Sequence, residues 1–276
     1  FRCRSEAAAL FHVPGEDNVV FTFNATHALN IAVKTLVRPG DSVVVSGYEH
    51  NAVMRPLYGI GNVQIKTAPG ILFDQQSVIA DFARAITPEV RAVFCTHVSN
   101  VIGFVLPIRE IAALCRSRGV PLVIDASQTA GAAPIDMQKM GIDVLCFTGH
   151  KGLMGPQGTG GLCIRPGVEL RPLLRGGTGV HSYDREQPQE YPARLEAGTL
   201  NGHGLAGLHA ALDFILRQGA ESIGARERQL MRRFYEGVRG IPGVTVYGDF
   251  TAPERAAIVT LNIRDYDSAE IADILA

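Results

Sequence analysis

Between residues 19 and 165 two kinds of apolar pattern alternate. Short continuous runs of Val, Ile and Leu predict strands over 19–23, 42–46, 63–67, 92–96, 121–124, 144–148 and 161–165. The longer stretches between them repeat at helical spacing and predict helices over 25–36, 51–58, 78–86 and 108–118. In 25–36, for example, Ala28, Leu29, Ala32, Val33 and Leu36 fall on one face. Continuous β-branched runs separated by helices predict an α/β fold, a mainly parallel sheet covered on both faces. The last two strands read as a hairpin around the 152–160 loop.

The character changes near Gly204. Two long helices are expected over 205–217 and 220–239, followed by strands over 244–247 and 256–263 and a final helix. This divides the chain into a large domain, residues 1–204, and residues 205–276, connecting helices with the start of a small α+β domain. Neither end reads as natural, because Phe1 is not Met and residue 276 falls within the last helical pattern. An internal fragment, less stable than a complete protein, is the expectation.

Composition narrows the class. The chain has 276 residues, 46% hydrophobic and 19% charged, enough for a core, and its net charge of −1 offers no basic field to nucleic acid or an anionic membrane. No apolar run reaches the roughly 20 residues that span a bilayer. The five cysteines are scattered without a CxxC pair, which fits buried, reduced thiols in the cytoplasm.

In parallel sheets, ligands bind beyond the carboxyl ends of the strands. Those ends carry Asn24-Ala25-Thr26-His27, Tyr48-Glu49-His50, His97-Val98-Ser99-Asn100, Asp125-Ala126-Ser127-Gln128 and Gly149-His150-Lys151. Glycines beside Lys151 would let a bulky group approach the backbone, and a lysine that forms a Schiff base must be partly desolvated. Asp125 is placed either to cap a following helix or to keep a pyridine nitrogen protonated, with Gln128 near the ring hydroxyl. Thr26 reads either as a helix cap or as part of a phosphate site at the helix amino end. His50 reads either as an ordinary surface histidine or as a ring that stacks and moves protons. The glycine-rich run 155–161 reads as a structural loop.

Together with Gly176-Gly177-Thr178 and Arg194-Leu195-Glu196-Ala197-Gly198-Thr199-Leu200-Asn201, these motifs resemble class V aminotransferase-fold enzymes, most of all cysteine desulfurases and selenocysteine lyases. The resemblance implies the type I fold of PLP-dependent transferases, with pyridoxal 5'-phosphate bound through Lys151. It further implies that His50 stacks on the ring, that Asp125 pairs with the ring nitrogen and Gln128 with the ring oxygen, and that Asn100 lies near ring and substrate. Thr26, His27, Thr148 and His150 would surround the phosphate, although the family often has an acid where His27 stands. Thr178 would reach the phosphate of a neighbouring subunit in a homodimer.

The function implied is removal of sulfur from L-cysteine, giving L-alanine and an enzyme persulfide, with a protein as possible sulfur acceptor. The nucleophilic cysteine and the substrate-binding arginine of the family would lie beyond residue 276, and none of the five cysteines matches that position. Selenocysteine lyase, aminotransferase or another lyase of this fold are alternatives, as is a non-catalytic cofactor-binding fragment.

Overall fold

A computed structural model describes residues 2–275. Its centre is a sheet of β1 (Val19–Thr22), β2 (Ser42–Ser46), β3 (Gln64–Ala68), β4 (Val90–Thr96), β5 (Leu122–Asp125), β6 (Val144–Thr148) and β7 (Gly160–Ile164). The spatial order is β1-β7-β6-β5-β4-β2-β3. β7 runs antiparallel to both its neighbours, and the pairings from β6 to β3 are parallel. The hairpin expected around the 152–160 loop is therefore β6 with β7.

Helices α1 (Arg2–Phe11), α2 (Ala25–Leu36), α3 (Asn51–Ile60), α4 (Gln75–Ala85), α5 (Ile108–Ser117), α6 (Met137–Met140), α7 (Gly202–Gln218) and α8 (Ala220–Val238) surround this sheet. Successive strand residues point to opposite faces, so each apolar run feeds two cores. Val44, Val93, Cys95, Ile124 and Leu145 pack with Phe82, Ile111 and Leu212 from α4, α5 and α7. Val43, Val45, Phe94, Val123 and Cys146 pack with Leu29, Ala32, Val53 and Leu57 from α2 and α3. Among the described residues no helix is long and apolar enough to cross a membrane.

Two helices were not expected, α1 and the one-turn α6. The buried stripe of α1 is Cys3, Ala7, Ala8 and Phe11, where alanines make the apolar signal thin. The strand expected over 256–263 is shorter: β8 (Val244–Tyr247) pairs with β9 (Thr260–Ile263), and α9 (Ser268–Leu275) follows. Ala256 instead donates its N–H to the Gly103 carbonyl at 2.9 Å. Beside it the buried Arg255 bonds the carbonyls of Asp249, Ile102 and Ile258, tying this segment to the loop after β4.

A buried ion pair holds α1 in place. Arg4 grips Glu196 through two bonds of 2.8 and 2.9 Å, and Glu196 also accepts the Phe21 N–H of β1 at 2.7 Å. Glu196→Ala strands the Arg4 charge and the Phe21 N–H, and is expected to cost about 3–5 kcal/mol. Urea unfolding of the two proteins checks this; a difference below about 1 kcal/mol, usual for an exposed pair, refutes it.

Candidate active site

The loops after β1, β2, β4, β5 and β6 meet at a cavity of ≈ 240 Å³. Eight residues singled out in the sequence border it: Thr26, His50, Asn100, Asp125, Gln128, Thr148, His150 and Lys151. They come from five strand ends spread over more than 120 positions of chain. A packed sheet alone brings them together.

Lys151 is placed by backbone contact. A Cβ on Gly149 would sit 2.0 Å from Thr159 Oγ1, and one on Gly152 would sit 2.6 Å from the Ala130 carbonyl oxygen. Both distances are impossible, so the glycines serve contacts within the protein and not the approach of a ligand. Gly149 lets the loop close onto Thr159 before β7, and Gly152 presses it onto Ala130 in the turn after β5, which brings Lys151 and Asp125 to one cavity. Lys151 itself is exposed, and among the described residues no hydrogen bond or ion pair ties down its ammonium. The desolvation expected of a Schiff-base lysine is thus not built by neighbouring side chains.

Asp125 ends β5 and is buried, and no helix starts after it. Instead its Oδ1 accepts the Ser127 N–H at 2.9 Å and the Ser127 hydroxyl at 2.5 Å. These two bonds fix the carboxylate, and Oδ2 takes no donor among the described residues. Ser127, which sequence reasoning passed over, is therefore the residue that orients Asp125.

His50 caps α3: its Nδ1 accepts the Ala52 N–H at 3.0 Å. That bond makes Nε2 the protonated nitrogen of the neutral ring. Thr148 Oγ1 lies 2.9 Å from His150 Nδ1. Asn24, and not Thr26, caps α2 by accepting the His27 N–H at 3.0 Å, leaving Thr26 free to border the cavity. In the first turn the N–H groups of Ala25 and Thr26 have no intrahelical acceptor.

One expected site residue lies elsewhere, and a second, Thr178, is expected only at the site of a neighbouring subunit. His27 borders a different cavity, stacks on Phe23 at 5.1 Å between ring centres, and has its basicity lowered by burial. Thr178 does not border the Lys151 cavity, and its hydroxyl donates to the Val180 carbonyl at 3.2 Å.

Glu49 precedes His50 in the loop after β2, and the motifs imply no role for it. Its Oε1 accepts the Thr96 N–H at 2.7 Å and the Ser46 hydroxyl, while Oε2 is buried without a partner. Although part of the residue reaches the surface, the carboxyl lies wholly within protein. Burial pushes it up from 4.5 to about 8, with Asp125 adding to the rise. Between those values the folded chain holds a proton that the unfolded chain has released. Stability therefore falls with rising pH, by up to about 1.4 kcal/mol per unit, and levels off above about 8. Glu49→Gln is expected to abolish this slope, so that the variant gains on the wild type from pH 5 to 8 in urea unfolding. A parallel slope in both proteins would refute it.

The family model for class V aminotransferases matches residues 2–276. The chain belongs to the class V aminotransferases. Over 98% of its length this class V chain is 34% identical to a probable cysteine desulfurase from Methanothermobacter thermautotrophicus, covering 68% of that protein. It superposes with a TM-score of 0.90 on the apo structure of a cysteine desulfurase from Thermococcus onnurineus NA1, 30% identical, covering 99% of this chain and 70% of that one. A second likeness, at a TM-score of 0.89 and 27% identity, is to the cystine C–S lyase C-DES in complex with its product cysteine persulfide, covering 99% of this chain and 75% of that one. A variant of C-DES has glycine covalently linked to its PLP cofactor. The family and fold expected from the motifs are therefore the observed ones.

The thiols of this class V chain are placed for packing. All five cysteines are buried, and desolvation raises Cys3 to about 11 and Cys115 to about 12, and pushes Cys95, Cys146 and Cys163 well above the ordinary thiol range. None borders the Lys151 cavity. His97, another strand-end residue, is buried with its Nδ1 3.0 Å from Thr129 Oγ1, and desolvation lowers it to about 4. It stays neutral near neutral pH.

Proposed function

We propose that the protein is a pyridoxal-phosphate enzyme that removes sulfur from L-cysteine, giving L-alanine and a persulfide. One observation carries the cofactor: a single cavity gathers an untethered lysine, a carboxylate oxygen without a donor, and the open amino end of α2 with three polar side chains. The donor set fits pyridoxal phosphate. The free N–H groups of Ala25 and Thr26, with Thr26, Thr148 and His150, suit a phosphate; Asp125 Oδ2 suits a protonated ring nitrogen and Gln128 the ring oxygen. When bound, the cofactor supplies an electron sink for charge developing at the substrate α-carbon.

Each residue then has a defined task. Lys151 Nζ supplies the amine that attaches the cofactor, and afterwards takes and returns the proton at the α-carbon. Ser127 holds Asp125 in one orientation. His50, pinned through Nδ1, presents its flat face for stacking and its Nε2–H as a proton carrier. Asn100 orients the substrate. His27 is assigned no direct contact, since its ring faces another cavity. The thiol that receives the sulfur is a cysteine other than the five described, because those are buried and protonated. A partner protein then accepts the sulfur, in the reducing cytoplasm.

Thr178 reaches the phosphate of a second subunit in this reading, which makes the protein a homodimer. In support, Leu174, Val180 and Tyr183 of the same stretch are exposed apolar side chains. Residues 1–204 form the cofactor-binding domain, and 205–276 begin the smaller one. That no cysteine among the described residues borders the cavity favours one second reading, a lyase that splits cystine and leaves cysteine persulfide, as C-DES does.

Incubating the full-length protein with pyridoxal phosphate should produce absorbance near about 410–420 nm, and cysteine should then yield alanine and sulfide in the presence of a thiol reductant. Cysteine persulfide from cystine, with no alanine from cysteine, selects the lyase. No absorbance band and no product leaves a cofactor-independent scaffold.

A further inference from the structure

We propose that Glu49 is a positioning residue for Asp125: it holds a proton beside that carboxylate, so that the cavity presents one anion to the cofactor, and releases the proton as the medium turns alkaline. The proposal rests on the pyridoxal-phosphate reading and adds a residue to which that reading gives no task. Its basis is the order of groups along the sheet edge. Ser46 ends β2, Thr96 ends β4, and Thr96 lies in register with Asp125 at the end of β5. Glu49 spans the first two, taking the Thr96 N–H and the Ser46 hydroxyl on Oε1.

A purely structural bridge would need only that oxygen. Oε2 is buried with no donor, and an ionised carboxylate there would leave a negative oxygen unsolvated close to a second one. A proton on Glu49 removes both costs at once. The titratable groups near enough to act on its charge are Asp125 at the end of β5 and Cys95 of β4, whose thiol is neutral because burial raises it. His50, next in the chain, is turned to the Ala52 N–H. Among the described residues no cation bonds Glu49 to offset an ionised form. When the proton leaves, the charge beside the ring nitrogen grows from one anion toward two, and the nitrogen holds its own proton more tightly.

The test uses the full-length protein with and without pyridoxal phosphate. Infrared spectra between about pH 6 and about pH 10 should show the carbonyl stretch of a protonated carboxylic acid disappearing with a midpoint near about 8, and Glu49→Gln should lack it. The holoenzyme carrying pyridoxal phosphate labelled with ¹⁵N in the ring should show a ring-nitrogen shift across the same window in the wild type and none in Glu49→Gln. Ser46→Ala, which removes one donor to the ionised form, should move the infrared midpoint upward by about 1 unit. It keeps the test decisive if Glu49→Gln does not fold. Superimposable infrared spectra for wild type and Glu49→Gln, an unmoved midpoint in Ser46→Ala, or identical ring-nitrogen titrations would each overturn the proposal. If pyridoxal phosphate is not taken up, the cofactor reading fails and the role toward the ring falls with it; the infrared measurement still reports whether Glu49 carries the proton.

Discussion

Lys151→Ala is expected to lose turnover by at least about 10⁴-fold and to lose the absorbance band near about 410–420 nm. The size follows from two tasks falling on one atom. Lys151 Nζ attaches the cofactor and then moves the proton at the substrate α-carbon, and no other amine borders the cavity among the described residues. The fold should be unaffected, since the exposed side chain makes no bond to lose. Lys151→Arg separates chemistry from charge: it keeps a cation, but a guanidinium cannot replace the nucleophilic amine, and it should fail as badly as alanine. A small primary amine added to Lys151→Ala should restore part of the turnover. Arginine activity within about tenfold of wild type would show that Lys151 only supplies charge, and would remove it from the centre of the mechanism.

The fold was legible where a single element carried its own evidence. Runs such as 42–46 and 144–148 have apolar centres and are buried at every position because both faces of the sheet are covered, and their predicted ends match β2 and β6. Legibility failed where the signal was shared with a distant partner. Half of the residues that α1 buries are alanines, and its hold on the protein is an ion pair between Arg4 and Glu196, 192 positions apart. Residues 256–259 look like strand in isolation, but the Gly103 carbonyl captures Ala256 before β9 begins.

The site shows the same division. Eight expected residues meet at one cavity because strand ends in a parallel sheet converge. His27 does not join them: one helical residue turns the chain by about 100°, so Thr26 and His27, adjacent in sequence, face different cavities. The glycines around Lys151 do not open its backbone to a ligand, since Thr159 and Ala130 occupy the space. Glu49 was not legible because one of the two donors that hold its Oε1, the Thr96 N–H, lies 47 positions away.

Asp125→Asn is the second large effect, an expected fall in turnover of about 10²–10³-fold with the cofactor still bound through Lys151. Asparagine keeps an oxygen to accept the two Ser127 donors, so the turn after β5 should stay as it is. What changes is the other atom. A carboxylate oxygen that accepts a proton-bearing ring nitrogen becomes an N–H₂ that donates, and the nitrogen must then give up its proton and with it much of its power to draw electrons. Loss of rate without loss of cofactor is the signature of that change; equal loss of both would instead mean that Asp125 serves binding alone. The variant also reaches Glu49. Asp125 is among the groups that raise the Glu49 carboxyl, so removing its charge should lower the midpoint of the Glu49 infrared band. If turnover falls and that midpoint does not move, the two carboxyls act independently and only the Asp125 assignment survives.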